Sequence, residues 1–157
     1  DSYPPANGQP GSRVRLRYGF VIECTGYDVD QHGNVVAVHV NYFPDSKSGT
    51  EGANNYKVKG NIHWLSVVEA ITAEIRIYDR LFTDPNPTGG DKEFLNFLNP
   101  ESKKVSQAYI DPSLAQAQPE QSFQFERHGY FVADQFDHSS SHPVFNLSVG
   151  LKDTWKK

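Results

Sequence analysis

Phe123-Gln124-Phe125-Glu126-Arg127-His128-Gly129-Tyr130-Phe131 sets four aromatic residues around one glutamine and one arginine. The rings give a strand something to bury, while Gln and Arg each offer paired hydrogen bonds to a partner. In strand alternation Phe123, Phe125 and Arg127 share one side and Gln124, Glu126 and His128 the other, so Gln124 and Arg127 converge only through a bulge or bend. Gly129 is the residue expected to supply it. From this stretch alone, an amphipathic strand with a solvated arginine remains the competing reading.

The same period-2 alternation recurs along the chain and predicts a mainly β protein. Arg13 to Glu23 places Val14, Leu16, Tyr18, Phe20 and Ile22 on one face of an expected first strand. Arg13, Arg15 and Arg17 fall on the other, spaced by roughly 7 Å. Such a row is either a charged edge that deters aggregation or a contact for an anion or a base. Asp28 to Asn34 reads as a hairpin connection into Val35 to Phe43. The polar stretch from Pro44 to Asn55 reads as a loop long enough to be mobile. Tyr56 to Leu65 predicts a further strand, with Lys57 and Lys59 on its polar side. Ser66-Val67-Val68-Glu69 has capping-box spacing for one helical turn, and Ala73 to Phe82 returns to strand, carrying Arg76 and Arg80. Asp84-Pro85-Asn86-Pro87-Thr88-Gly89-Gly90-Asp91 is the clearest break. After it come a short helix over Phe94, Leu95 and Leu98 capped by Asp91, a strand at Lys103 to Ile110, the Phe123 to Asp134 strand pair, and a last strand at Val144 to Leu151.

Composition bounds what this chain can do. With 157 residues, 37% hydrophobic and 13% aromatic, it can bury a core of one full domain or two small ones. No run approaches the ~18 apolar residues of a membrane span, and the start at Asp1 carries no secretion-signal pattern, so a cytoplasmic protein without membrane contact is expected. The absence of Met at position 1 suggests a piece of something longer. The single cysteine, Cys24, excludes an internal disulfide and multi-cysteine zinc sites. A net charge of -4 argues against indiscriminate nucleic-acid coating. Clustered cations at Arg13, Arg15 and Arg17, at Lys57 and Lys59, and at Arg76 and Arg80 favour a limited, specific contact instead.

Catalytic chemistry does not assemble. Asp137, His138 and Ser139 have the composition of a triad, but neighbours on one loop rarely meet in the geometry that a nucleophile and its base need. His39 has no partner at ligand spacing, and His138 with His142 sits in a serine-rich loop, so no metal site is expected. There is no Gly-rich phosphate loop. A binding module is the expectation, without catalytic residues of its own.

Val14-Arg15-Leu16-Arg17, Lys57 to Trp64, Glu74 to Phe82, Phe97 to Pro100, Phe123 to Phe131 and Val144 to Trp155, in unbroken order over about residues 13 to 156, closely resemble the C-terminal region of bacterial-type glutaminyl-tRNA synthetases. The resemblance implies two small β-barrels with short helical turns, the distal one inserted into an incomplete proximal one. Residues 1–12 would be a connector and the start of the proximal barrel, 13–80 the distal barrel, and 81–157 the rest of the proximal barrel. It implies that Arg15 and Arg17 read the first anticodon base, and that Gln124 and Arg127 contact the middle one. Lys57, Lys59, Arg76 and Arg80 would supply phosphate contacts or simple solvation. The implied partners are the anticodon loop of tRNA(Gln) and an N-terminal catalytic domain missing from this chain. That domain would use ATP with Mg, whereas this fragment would need no cofactor; a monomer is expected. Relatives carry a further strand between the positions of Pro5 and Pro10 that helps read the third base, and commonly have Arg where Leu147 stands. The competing readings are the same region of a glutamyl enzyme, disfavoured by Gln124 and Arg127 together with Arg15 and Arg17, and a β-barrel module that meets an acidic protein.

Overall fold

A computed structural model describes residues 11–151. Residues 1–10 of the connector, which include the positions of Pro5 and Pro10 between which relatives carry a strand absent from this sequence, and Trp155 lie outside the described residues. Among the described residues nine strands form two sheets in two compact units, one ending at Trp64 and the other beginning at Leu65. The chain is mainly β, and its helical segments among the described residues are short 3-10 turns.

In the first unit β1 (Arg13–Leu16), β2 (Val21–Val29), β3 (Val35–Phe43) and β4 (Gly60–Ile62) lie in the order β3-β2-β1-β4. The strand expected from Arg13 to Glu23 is instead a hairpin, with Arg13 opposite Glu23 and Arg15 opposite Val21. The reversal lies at Arg17 to Phe20, where Leu16 N–H donates to Phe20 O and Gly19 N–H to Leu16 O, each at 2.8 Å. Alternation could not reveal it, because the apolar parity carries on through the turn. The β2–β3 turn is an Asx turn: Asp30 Oδ1 accepts from the N–H groups of His32 and Asn34, and Gly33 takes a φ of 82°.

The loop expected to be mobile is pinned. Pro44–Ser46 and Glu51–Asn55 form 3-10 turns. The fully buried Ser46 hydroxyl accepts from Val21 N–H at 2.7 Å and donates to Phe43 O at 2.6 Å. Tyr56 donates its hydroxyl to Asp45 at 2.6 Å, and this hydrogen bond raises the phenol above its ordinary pKa.

In the second unit β5 (Ile71–Tyr78), β6 (Lys103–Ile110), β7 (Ser122–Phe125), β8 (Gly129–Ala133) and β9 (Val144–Gly150) lie in the order β6-β5-β9-β8-β7. β5 is parallel to β9, and the other neighbours are antiparallel. One face buries Ala73, Ile75, Phe131, Ala133 and Phe145, with Phe123, Phe125 and Leu147 packed against them. Phe125 stacks on Phe131 with ring centres 4.4 Å apart and tilts against Phe145 at 5.3 Å. Burial of these large rings on one side of a strand is what the opening stretch called for.

The unit boundary falls earlier than residue 80. The strand at 71–78 pairs along its whole length with β6, so the break at Asp84 to Asp91 is the tip of an extended hairpin rather than a linker. Thr83 N–H donates to Phe97 O at 2.9 Å and Asn99 N–H to Leu81 O at 2.8 Å, carrying the hairpin outward beyond β5. A 3-10 turn at Phe94–Phe97 replaces the helix expected there, and its cap is Glu93 rather than Asp91.

Candidate nucleic-acid interface

Gln124 and Arg127 occupy one hairpin end. β7 and β8 pair Phe125 with Gly129, leaving Glu126, Arg127 and His128 as a three-residue reversal closed by His128 N–H donating to Phe125 O. Arg127 sits in the left-handed region with φ 65°. The bend required by the sequence is thus a complete reversal. Gly129 closes it because a side chain would not fit: a Cβ there would lie 2.6 Å from Val149 O and 2.8 Å from Leu147 Cδ1. Gln124 faces Tyr130 across the strands on the face opposite the aromatic core, and both are exposed. Tyr130 is a ring that sequence reading credited only to the scaffold. Its pairing with Gln124 was hidden until the register of the hairpin was known.

Arg76 departs from expectation. It is 9% exposed and is gripped by carboxylates: Nε donates to Glu74, and Nη1 lies 3.3 Å from Asp134 Oδ2 and 2.7 Å from Asp137 Oδ2. These hydrogen bonds, Glu74's first and Asp137's next, hold its pKa above the ordinary arginine value. Three carboxylates around one guanidinium leave a local negative charge, which repels phosphate. Arg76 is thus engaged by carboxylates of its own unit, in place of the phosphate contact or simple solvation expected of it. Asn146, its register neighbour on β9, donates to Asp134 Oδ2 at 2.7 Å. That bond is the largest cause holding the Asp134 carboxyl down at about 2, with N–H donation from Asp137 and Phe136 adding to it. Arg80 is exposed and only 3.7 Å from Asp79, a pairing of little energetic weight.

In the first unit the arginine row divides into three roles. Arg13 pairs with Glu23 and lies over the Phe43 ring. Arg15 is half-buried and donates to Ser46 O, to Ala53 O at 3.1 Å and to Ser48 Oγ at 3.4 Å, stapling both 3-10 turns to β1. The base contact expected of Arg15 competes with these three acceptors. Arg17 enters the β1–β2 turn, where its Nη2 donates to the Tyr18 hydroxyl at 3.3 Å. Lys57 and Lys59 are exposed on the approach to β4, which is shorter than the strand expected there.

His138 is buried and spent on the backbone. Val144 N–H donates to its Nδ1 at 3.2 Å, and Nε2 lies 3.0 Å from Ala117 O. Both ring nitrogens are occupied in fixing the 134–144 loop. Among the described residues no helix is long and apolar enough to cross a membrane.

A hairpin end that displays Gln, Arg and Tyr above an aromatic core suits recognition of unstacked bases. Residues 61–134 match the family model described as the anticodon-binding domain of class I tRNA synthetases (E and Q). Residues 61–134 belong to this anticodon-binding family. It is 64% identical over 154 residues to a glutamine–tRNA ligase of Polynucleobacter asymbioticus, covering 98% of this chain and 26% of the relative. It is 65% identical over 148 residues to that of Cupriavidus metallidurans, covering 94% of this chain and 25% of the relative. The enzyme of Nitrosomonas europaea is 55% identical over 148 residues, covering 94% of the chain and 27% of the relative. The chain therefore spans about a quarter of the length of these relatives.

Proposed function

We propose that this anticodon-binding region holds the anticodon loop of tRNA(Gln), so that the rest of a cytoplasmic, monomeric glutamine–tRNA ligase can attach glutamine to the other end of the tRNA. The observation that carries this reading is the β7–β8 end, where exposed Gln124 and Tyr130 stand beside a reversal tipped by Arg127. In this arrangement Gln124 and Arg127 contact the middle anticodon base through paired hydrogen bonds. Arg17 contacts the first base, while Arg15 shapes the loop beside it. Lys57, Lys59 and Arg80 contribute phosphate contacts, which set affinity and register without reading sequence. ATP and Mg would be held by the rest of the protein; the carboxylates of Glu74, Asp134 and Asp137 are engaged with Arg76.

Binding of the intact protein to a glutamine anticodon stem-loop, against one altered only at the middle base, tests this reading. Arg127→Ala is expected to weaken the natural complex by about 1–3 kcal/mol and to erase most of the preference at the middle base. Unchanged affinity with preserved preference would remove Arg127 from the interface.

A further inference from the structure

Tyr18 adopts a backbone conformation that tyrosine avoids. Its φ is 57°, a region where glycine or asparagine sits at lower cost and a bulky residue is an outlier. Packing offers no compensation, because the residue is 76% exposed. Yet the turn is held from several sides. Trp64 donates its indole N–H to Arg17 O at 3.0 Å, and Ser48 donates to Gly19 O through its backbone N–H at 2.9 Å and its hydroxyl at 3.1 Å. Arg15, by stapling the 44–55 segment, keeps Ser48 in place for this. A strained residue persists where its surroundings over-determine it, and such positions gather at binding sites. The ring is also prepared electrostatically: the Arg17 guanidinium carbon lies 5.1 Å from its centre.

We propose that Tyr18 is a stacking platform for one unpaired base of single-stranded RNA, with Arg17 beside it supplying donors to the edge of that base. The proposal rests on the anticodon-loop reading above. A flat exposed ring accepts any base by its face, and a neighbouring guanidinium adds hydrogen-bond selectivity at the base edge. This division of labour explains why a tyrosine is tolerated where glycine or asparagine would fold more easily.

The test uses the intact protein carrying this chain and a glutamine anticodon stem-loop with a fluorescent base analogue at the first anticodon position. A scrambled-loop RNA serves as control. Tyr18→Asn removes the ring while suiting the left-handed backbone, and Tyr18→Phe keeps the ring without the hydroxyl. Loss of one stacked base is expected to weaken binding of Tyr18→Asn about 5- to 150-fold. It should also abolish quenching of the analogue and leave the thermal midpoint unchanged or raised, whereas Tyr18→Phe should retain the quenching. If the wild type prefers the anticodon loop and Tyr18→Asn binds and quenches equally well, the platform is refuted while the anticodon reading stands. If the wild type shows no preference over the scrambled loop, both are overturned.

Discussion

Replacing Arg76 with methionine isolates the charge at the centre of the second sheet. The substitution keeps an unbranched, adaptable side chain but leaves Glu74 and Asp134, each with less than a fifth of its side chain exposed, without the guanidinium that both contact. Removing one partner of a buried ion pair costs about 3–5 kcal/mol. Asp137, with a side chain 54% exposed, can turn to water, which puts the expectation at the low end. A loss of about 3 kcal/mol corresponds to roughly a hundredfold rise in the open population. Amide hydrogen exchange at Ile75 and Phe145, both deep in the core, reports this directly for the second unit. Under conditions where exchange follows the opening equilibrium, these amides should exchange roughly a hundredfold faster in Arg76→Met. Arg76→Lys should fall between, because an ammonium cannot reproduce the fork toward three carboxylates. An acceleration below about threefold would refute the claim that this guanidinium secures the sheet.

Acid should weaken the second unit in a defined window. The Asp134 carboxyl is held at about 2 against an ordinary 3.8, so its contribution is fully present above about pH 5 and lost as pH falls toward 2. Its size is at most about 2 kcal/mol, readable from urea midpoints against pH, and Asn146→Leu should shrink it. Gly129→Ala should destabilise by about 1–3 kcal/mol in thermal or urea unfolding, since the added Cβ meets the Val149 carbonyl at 2.6 Å. Arg15→Met should speed hydrogen exchange across Ser46 to Ala53 while leaving β5 and β9 protected, because the bonds it removes all end in that segment.

The β character and the buried rings of the Phe123 stretch were legible because large apolar side chains at period 2 leave few alternatives. Two turns were not. The reversal at Arg17 to Phe20 continues the parity of the strands it joins, and Gly19 is its only turn-forming residue. The Asp84 to Asp91 break has every mark of a linker, yet serves as a hairpin tip because Leu81, Thr83 and Phe97 keep the ladder going around it. At the candidate site, Gln124 and Arg127 could be chosen for their chemistry. The fates of Arg15 and Arg76 could not, since both depend on partners far away in sequence: the carbonyls of Ser46 and Ala53, and the carboxylates of Asp134 and Asp137. A row of arginines shows where charge can go, but only tertiary contacts show which charge is already spent.

The order β6-β5-β9-β8-β7 also constrains how the second unit is made. The β5–β6 and β7–β8 hairpins can each close from local chain, but the strand between them is the last of the five in chain order. Until β9 arrives, β5 and β8 each present an unpaired edge, and the cavity destined for Phe145 has no occupant. Pairing residue 74 with residue 144 is a long loop closure, which makes it the slow step of assembly and the stage at which the open edges invite association with other chains. Nascent chains halted just short of Val144 should therefore depend most on chaperones, and release of a few further residues should end that dependence at once.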